Sequence, residues 1–128
     1  MIDRSLKRLT KKSRRGFRGY PLATIAAYGP DDRRASKLAV RVFRWEGDEG
    51  GELRRWFSST TDVRTDPVMA AEVLAFIEQH GVLSIGMTDR IIGCPHEEGV
   101  DYEGEYCPMC SFWIGRDRWM GNAILPAP

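Results

Sequence analysis

The stretch CPHEEGVDYEGEYCPMC, residues 94–110, holds all three cysteines of the chain and one of its two histidines. A tetrahedral Zn²⁺ ion takes four soft or borderline ligands, and three thiolates with one imidazole form a standard structural set. Cys107 and Cys110 are separated by two residues, so both sulfurs reach one ion from a tight turn. Ten residues separate His96 from Cys107, enough to bring the second ligand pair back to the first. The expected metal ligands are therefore Cys94, His96, Cys107 and Cys110, and the expected cofactor is zinc. The fold class that follows is α+β: a small antiparallel sheet of about four strands, one buried helix and a C-terminal zinc-binding loop.

Working outward from this loop, the preceding segment 82–87 reads as a fourth strand, and 67–80 carries the clearest helix signals in the chain. Asp66 suits the N-cap, Pro67 the first helical position and Gly81 the C′ position. Nearly every residue of 68–77 is apolar, Glu72 excepted, and a helix apolar around most of its circumference is buried against something. His80 falls at the helix C-terminus, where the dipole favours a cation, and reads as a cap rather than a ligand. Residues 20–28 (YPLATIAAY), 37–45 (KLAVRVFRW) and 53–58 (LRRWFS) read as strands. The first two are joined by the turn chemistry of GPDD and the last two by the glycine-rich, acidic loop 46–52. Residues 111–121 read as a short helix or turn and 125–128 as a loose tail.

The net charge of +1 conceals an asymmetry. Residues 1–18 contain eight basic side chains against Asp3 alone, a charge of +7, while 19–128 hold 11 basic and 17 acidic residues, a charge of −6. The organisation expected is a basic N-terminal arm over 1–18 and a single zinc-stabilised α+β domain over 19–128. Blocks of like charge are ordinarily solvated and often disordered; the functional alternative is an arm that contacts phosphates. Ile2, Leu6 and Leu9 recur at helical spacing along it, yet so short a helix is marginal in water without a surface to dock on. The candidate nucleic-acid-binding residues are Lys7, Arg8, Lys11, Lys12, Arg14, Arg15 and Arg18.

No apolar run approaches the ~18 residues of a membrane-spanning helix, and the basic N-terminus lacks an apolar segment behind it. An all-disulfide framework would leave one cysteine over, whereas metal ligation in a reducing compartment uses all three. The chain thus reads as a cytoplasmic protein with no membrane partner. Cys-Pro-Met-Cys also has the form of a redox pair, but such a pair should follow a strand and open a helix, and here it follows an acidic loop.

Four ligands close the coordination shell and leave no position for a reactive water, so the zinc is read as structural and no catalytic residue is assigned. No phosphate loop, nucleophile elbow or dinucleotide fingerprint is present. Asp62, Asp66 and Asp89 are read as caps or turn residues rather than a hard-metal site. Arg90, Arg116 and Arg118 balance the acids of the loop. Phe112, Trp113 and Trp119 read as packing beneath the loop, with a stacking surface as the sharper alternative.

The stretches YPLATIAAYGPDDRRASK (20–37), MTDRIIGCPHEEGVDYEGEYCPMC (87–110) and FWIGRDRW (112–119) resemble a group of small bacterial proteins of uncharacterised function with a CPHEEG…CPxC zinc-binding signature. The resemblance implies a compact metal-binding domain and no particular activity; the basic arm lies outside it. The function expected is a non-enzymatic, zinc-stabilised binding protein with nucleic acid as partner through the arm. Two other classes stand beside it. One is a protein–protein adaptor using the acidic body and the aromatics near Trp113 and Trp119. The other is a zinc-dependent hydrolase with an open metal position and Glu97 or Glu98 as base.

Overall fold

A computed structural model describes residues 4–96 together with Cys110 and Phe112. The element order is α1 (Arg4–Arg14), β1 (Leu22–Tyr28), β2 (Lys37–Phe43), β3 (Leu53–Phe57), α2 (Pro67–Gln79) and β4 (Ser84–Ile91). Among the described residues the strands form one sheet in the order β3-β2-β1-β4. The architecture is α+β, as the residue patterns imply. Strands β1, β2 and β3 form an antiparallel meander, with Ile25 opposite Val40 and Leu38 opposite Trp56.

The sheet is mixed rather than antiparallel throughout, because β4 runs parallel to β1, with Ala23 opposite Ile85. The cause is the intervening helix. A tight hairpin can join only antiparallel neighbours, whereas a helical crossover returns the chain to the end of the sheet from which it came. β3 runs in the same direction as β1, and α2 carries the chain back so that β4 starts level with both. β4 also extends beyond the expected 82–87, reaching Ile91 after an irregularity in the register between Ile25 and Ala27.

Alternation puts Ala23, Ile25 and Ala27 of β1, and Leu38, Val40 and Val42 of β2, on one buried face. α2 contributes Ala70, Val73, Leu74, Phe76 and Ile77 to the same core. The Trp56 and Phe76 rings meet edge to face at 6.0 Å. α2 starts where Asp66 caps it, its Oδ1 accepting from the N–H groups of Val68 (2.9 Å) and Met69 (3.1 Å). It stops at His80, the C-cap residue, whose ring packs on Phe76 with 4.7 Å between centroids.

The basic stretch is a helix laid against this body. α1 contacts α2 and β4, with Leu9 only 3 % exposed and Leu6 packed at the edge of the core. Burying a leucine side chain is worth about 1.5–3 kcal/mol, which an isolated eleven-residue helix lacks. Between α1 and the sheet lies a cavity of about 560 Å³ with Leu9, Ile25, Val63 and Met87 in its wall. No helix among the described residues is long and apolar enough to cross a membrane.

Candidate metal centre

The sheet delivers the first ligand. β4 does not end its pairing with β1 at Ile91: Ile92 N–H donates to Ala27 O and Gly29 N–H to Gly93 O, each at 2.9 Å. Cys94 follows at once, fully buried at the end of the sheet. Pro95 then turns the chain, and the His96 N–H donates to the Cys94 sulfur at 3.2 Å. That bond folds the imidazole back over the thiol, with His96 Nδ1 3.5 Å from Cys94 Sγ.

Cys110 joins them from further along the chain. Its sulfur is 3.6 Å from the same His96 Nδ1, and the three ligand atoms lie within 4.8 Å of one another. Both sulfurs are buried and His96 is half-buried. Neither Cys94 nor Cys110 is in a disulfide among the described residues. Two buried sulfurs converging on one ring nitrogen form a donor set that can hold a metal ion. The N–H bond to Cys94 Sγ stabilises a thiolate in the way that hydrogen bonds to ligating sulfurs orient and tune metal sites. Three of the four expected ligands are thus together; Cys107 lies outside the described residues.

The turn at Pro95 is braced from β2. Lys37, the first residue of β2, is only 5 % exposed, and its Nζ donates to the Pro95 carbonyl at 2.8 Å. The ammonium also lies over the rings of Tyr28 (5.9 Å) and Phe57 (5.6 Å), each its neighbour across the sheet. The signal in the residues is its position, a charged residue opening a strand that is otherwise apolar except for Arg41.

Other expected features find their places. Asp66 caps α2 and its Oδ2 accepts from Thr61 Oγ1 at 2.8 Å. The Thr61 hydroxyl and the Met69 N–H together hold its carboxyl below the usual carboxylate range. Burial pushes Asp62 up, but the Arg64 guanidinium (2.6 Å) and N–H outweigh it, so this carboxyl too sits low. Both acids are occupied as caps and turn partners, as expected from their positions. Phe112 is partly buried and packs against the core cluster. Arg90 is exposed. Arg116, Arg118, Trp113, Trp119, Glu97 and Glu98 lie outside the described residues.

The basic residues are arrayed on the outer side of α1 and just beyond it. Lys7, Arg8, Lys11, Arg14, Arg15 and Arg18 are exposed and Lys12 is half-buried. Arg8 pairs with Glu78 of α2 at 2.9 Å. Comparison of the chain with protein-family models, with curated proteins and with solved structures finds no match.

Proposed function

We propose that the protein is a non-enzymatic nucleic-acid-binding domain in which a zinc ion fixes the C-terminal loop and the cations of α1 contact phosphates. Zinc is favoured by the donor chemistry and the spacing. Bonds of about 2.3 Å to sulfur and 2.0–2.1 Å to nitrogen in a tetrahedron set an N···S edge of about 3.5 Å. The two N···S distances, 3.5 and 3.6 Å, match that edge. With Cys107 as fourth ligand the shell is closed, so the ion serves structure and not hydrolysis.

The observation that carries the reading is the placement of the arm. Its apolar side is docked through Leu9 while seven of its eight cations, all but Lys12, stay exposed. A cationic face already held on a folded body loses little further freedom on meeting a phosphate backbone, which favours binding. Contacts of this kind displace condensed counterions, so affinity falls steeply with salt.

The test is the affinity of the zinc-loaded protein for a labelled duplex across a salt series. If six to eight arm cations engage phosphates, the log–log slope is about −5 to −7. Charge-removing substitutions at Lys7, Lys11 and Arg15 together should flatten it by about 3. A binding constant indifferent to salt, or to those substitutions, refutes the reading.

A further inference from the structure

Just beyond α1 the chain reads RRGFRGY, residues 14–20, in which two aromatics are set among arginines. Phe17 is 65 % exposed, and its ring meets that of Tyr20 edge to face at 5.3 Å and 72°. A single exposed phenylalanine is unremarkable on a loose loop. This one is not on a loose loop. Ser84, 1 % exposed on β4, accepts a hydrogen bond from the Arg18 N–H and donates one to the Gly19 carbonyl, both at 2.7 Å. One buried hydroxyl thus pins the backbone on both sides of the Arg18–Gly19 peptide.

The bends that turn Phe17 outward need backbone conformations that side chains disfavour. Gly16 has φ +74° and Gly19 φ +106°, so glycine at both positions lets the chain leave α1, present the ring and rejoin the sheet. Arg15 and Arg18, both exposed, flank the ring.

We infer that Phe17, supported by Tyr20 and flanked by Arg15 and Arg18, is a stacking platform for an unpaired base, so that the ligand is single-stranded nucleic acid. The inference rests on the phosphate-binding reading above and adds what that reading leaves open. Every base has a π-face, and stacking on an aromatic is sequence-tolerant. In a duplex both faces of an interior base are already covered, so a protruding ring finds no partner there. Cations beside the ring hold the backbone on either side of the stacked base, and an arginine guanidinium can itself stack on it.

The experiment titrates full-length, zinc-loaded protein into a labelled mixed-sequence 12-mer single strand and into the matching duplex, for the native chain, Phe17→Ala and Phe17→Trp. Because the ring is exposed, both variants should keep the native thermal midpoint. The expected result is tighter binding of the single strand, weakened roughly 5- to 100-fold by Phe17→Ala and restored by Phe17→Trp. The salt slope, which reads phosphate contacts, stays where it was. If Phe17→Ala leaves single-strand affinity unchanged, or weakens strand and duplex alike, the platform is wrong while phosphate binding stands. Absence of binding to either oligonucleotide at 50 mM salt refutes both.

Discussion

The Lys37 ammonium and the Pro95 carbonyl are joined at 2.8 Å, which ties the start of β2 to the residue between two of the candidate metal ligands, Cys94 and His96. The contact spans 58 positions in sequence and is shielded from solvent, since Lys37 is only 5 % exposed. It gives the metal loop an anchor in the sheet that does not depend on the metal itself.

Removing that anchor should loosen the site while leaving its ligands in place. Lys37→Met keeps the apolar stem but leaves the Pro95 carbonyl without this donor, a loss of about 1–3 kcal/mol of stability. Partners outside the ligand shell typically contribute 10- to 100-fold in metal affinity, and a weakening of roughly that size is expected here. Competition with a zinc chelator measures it. The variant should release its metal at lower chelator concentration than the native chain and still bind one ion per chain. Indistinguishable chelator titrations would remove Lys37 from the account.

Asp48 sets up a pH dependence at the other end of the sheet. Its carboxylate, buried in the loop after β2, accepts from the Arg44 guanidinium at 2.8 and 3.1 Å, from the Arg44 N–H at 3.0 Å and from the Gly50 N–H at 3.0 Å. The Arg44 guanidinium, helped by these N–H groups, holds the carboxyl far below the usual carboxylate range despite its burial. A folded-state pKa below the unfolded value of about 3.9 means that the unfolded chain binds the extra proton first. The stability Asp48 contributes is therefore complete above about pH 4 and is lost as the pH falls further. Asp48→Asn should be less stable than the native chain at pH 7, and the gap in thermal midpoint should close on acidification below about pH 4. Comparing the two proteins at each pH cancels the loss of metal in acid. A gap that is constant from pH 7 to pH 3 contradicts the assignment.

Leu9 decides whether α1 stays on the body. Leu9→Ala, at a side chain 3 % exposed, should cost about 2–5 kcal/mol in denaturant unfolding. By contrast, Glu78→Gln, which removes the acid opposite Arg8, should change stability by less than about 1 kcal/mol because that pair is solvent-exposed. If the two substitutions cost the same, charge rather than apolar burial holds the helix.

What was legible in the residues divides by distance along the chain. α2 was legible at both ends because its signals are local: Asp66 caps it, Pro67 opens it and His80 ends it. The three meander strands were legible from alternation and turn chemistry. The grouping of Cys94, His96 and Cys110 was legible from spacing alone, since ligands to one ion must fall within reach of one another. The direction of β4 was not, because pairing with β1 is fixed by the path of the intervening helix rather than by any residue in β4. Lys37 escaped notice for the same reason: what buries it is a carbonyl far along the chain. In α1 the face formed by Leu6 and Leu9 was visible, but eight cations in the same stretch gave no indication of the surface that receives it.

The bonds from Ile92 to Ala27 and from Gly29 to Gly93 carry the sheet ladder up to the residue before Cys94. Cys94 is therefore set in place by β-sheet pairing, and His96 is set by its own N–H bond to the Cys94 sulfur. An incoming ion would meet a standing three-toothed claw, since Cys94, His96 and Cys110 already lie within 4.8 Å of one another.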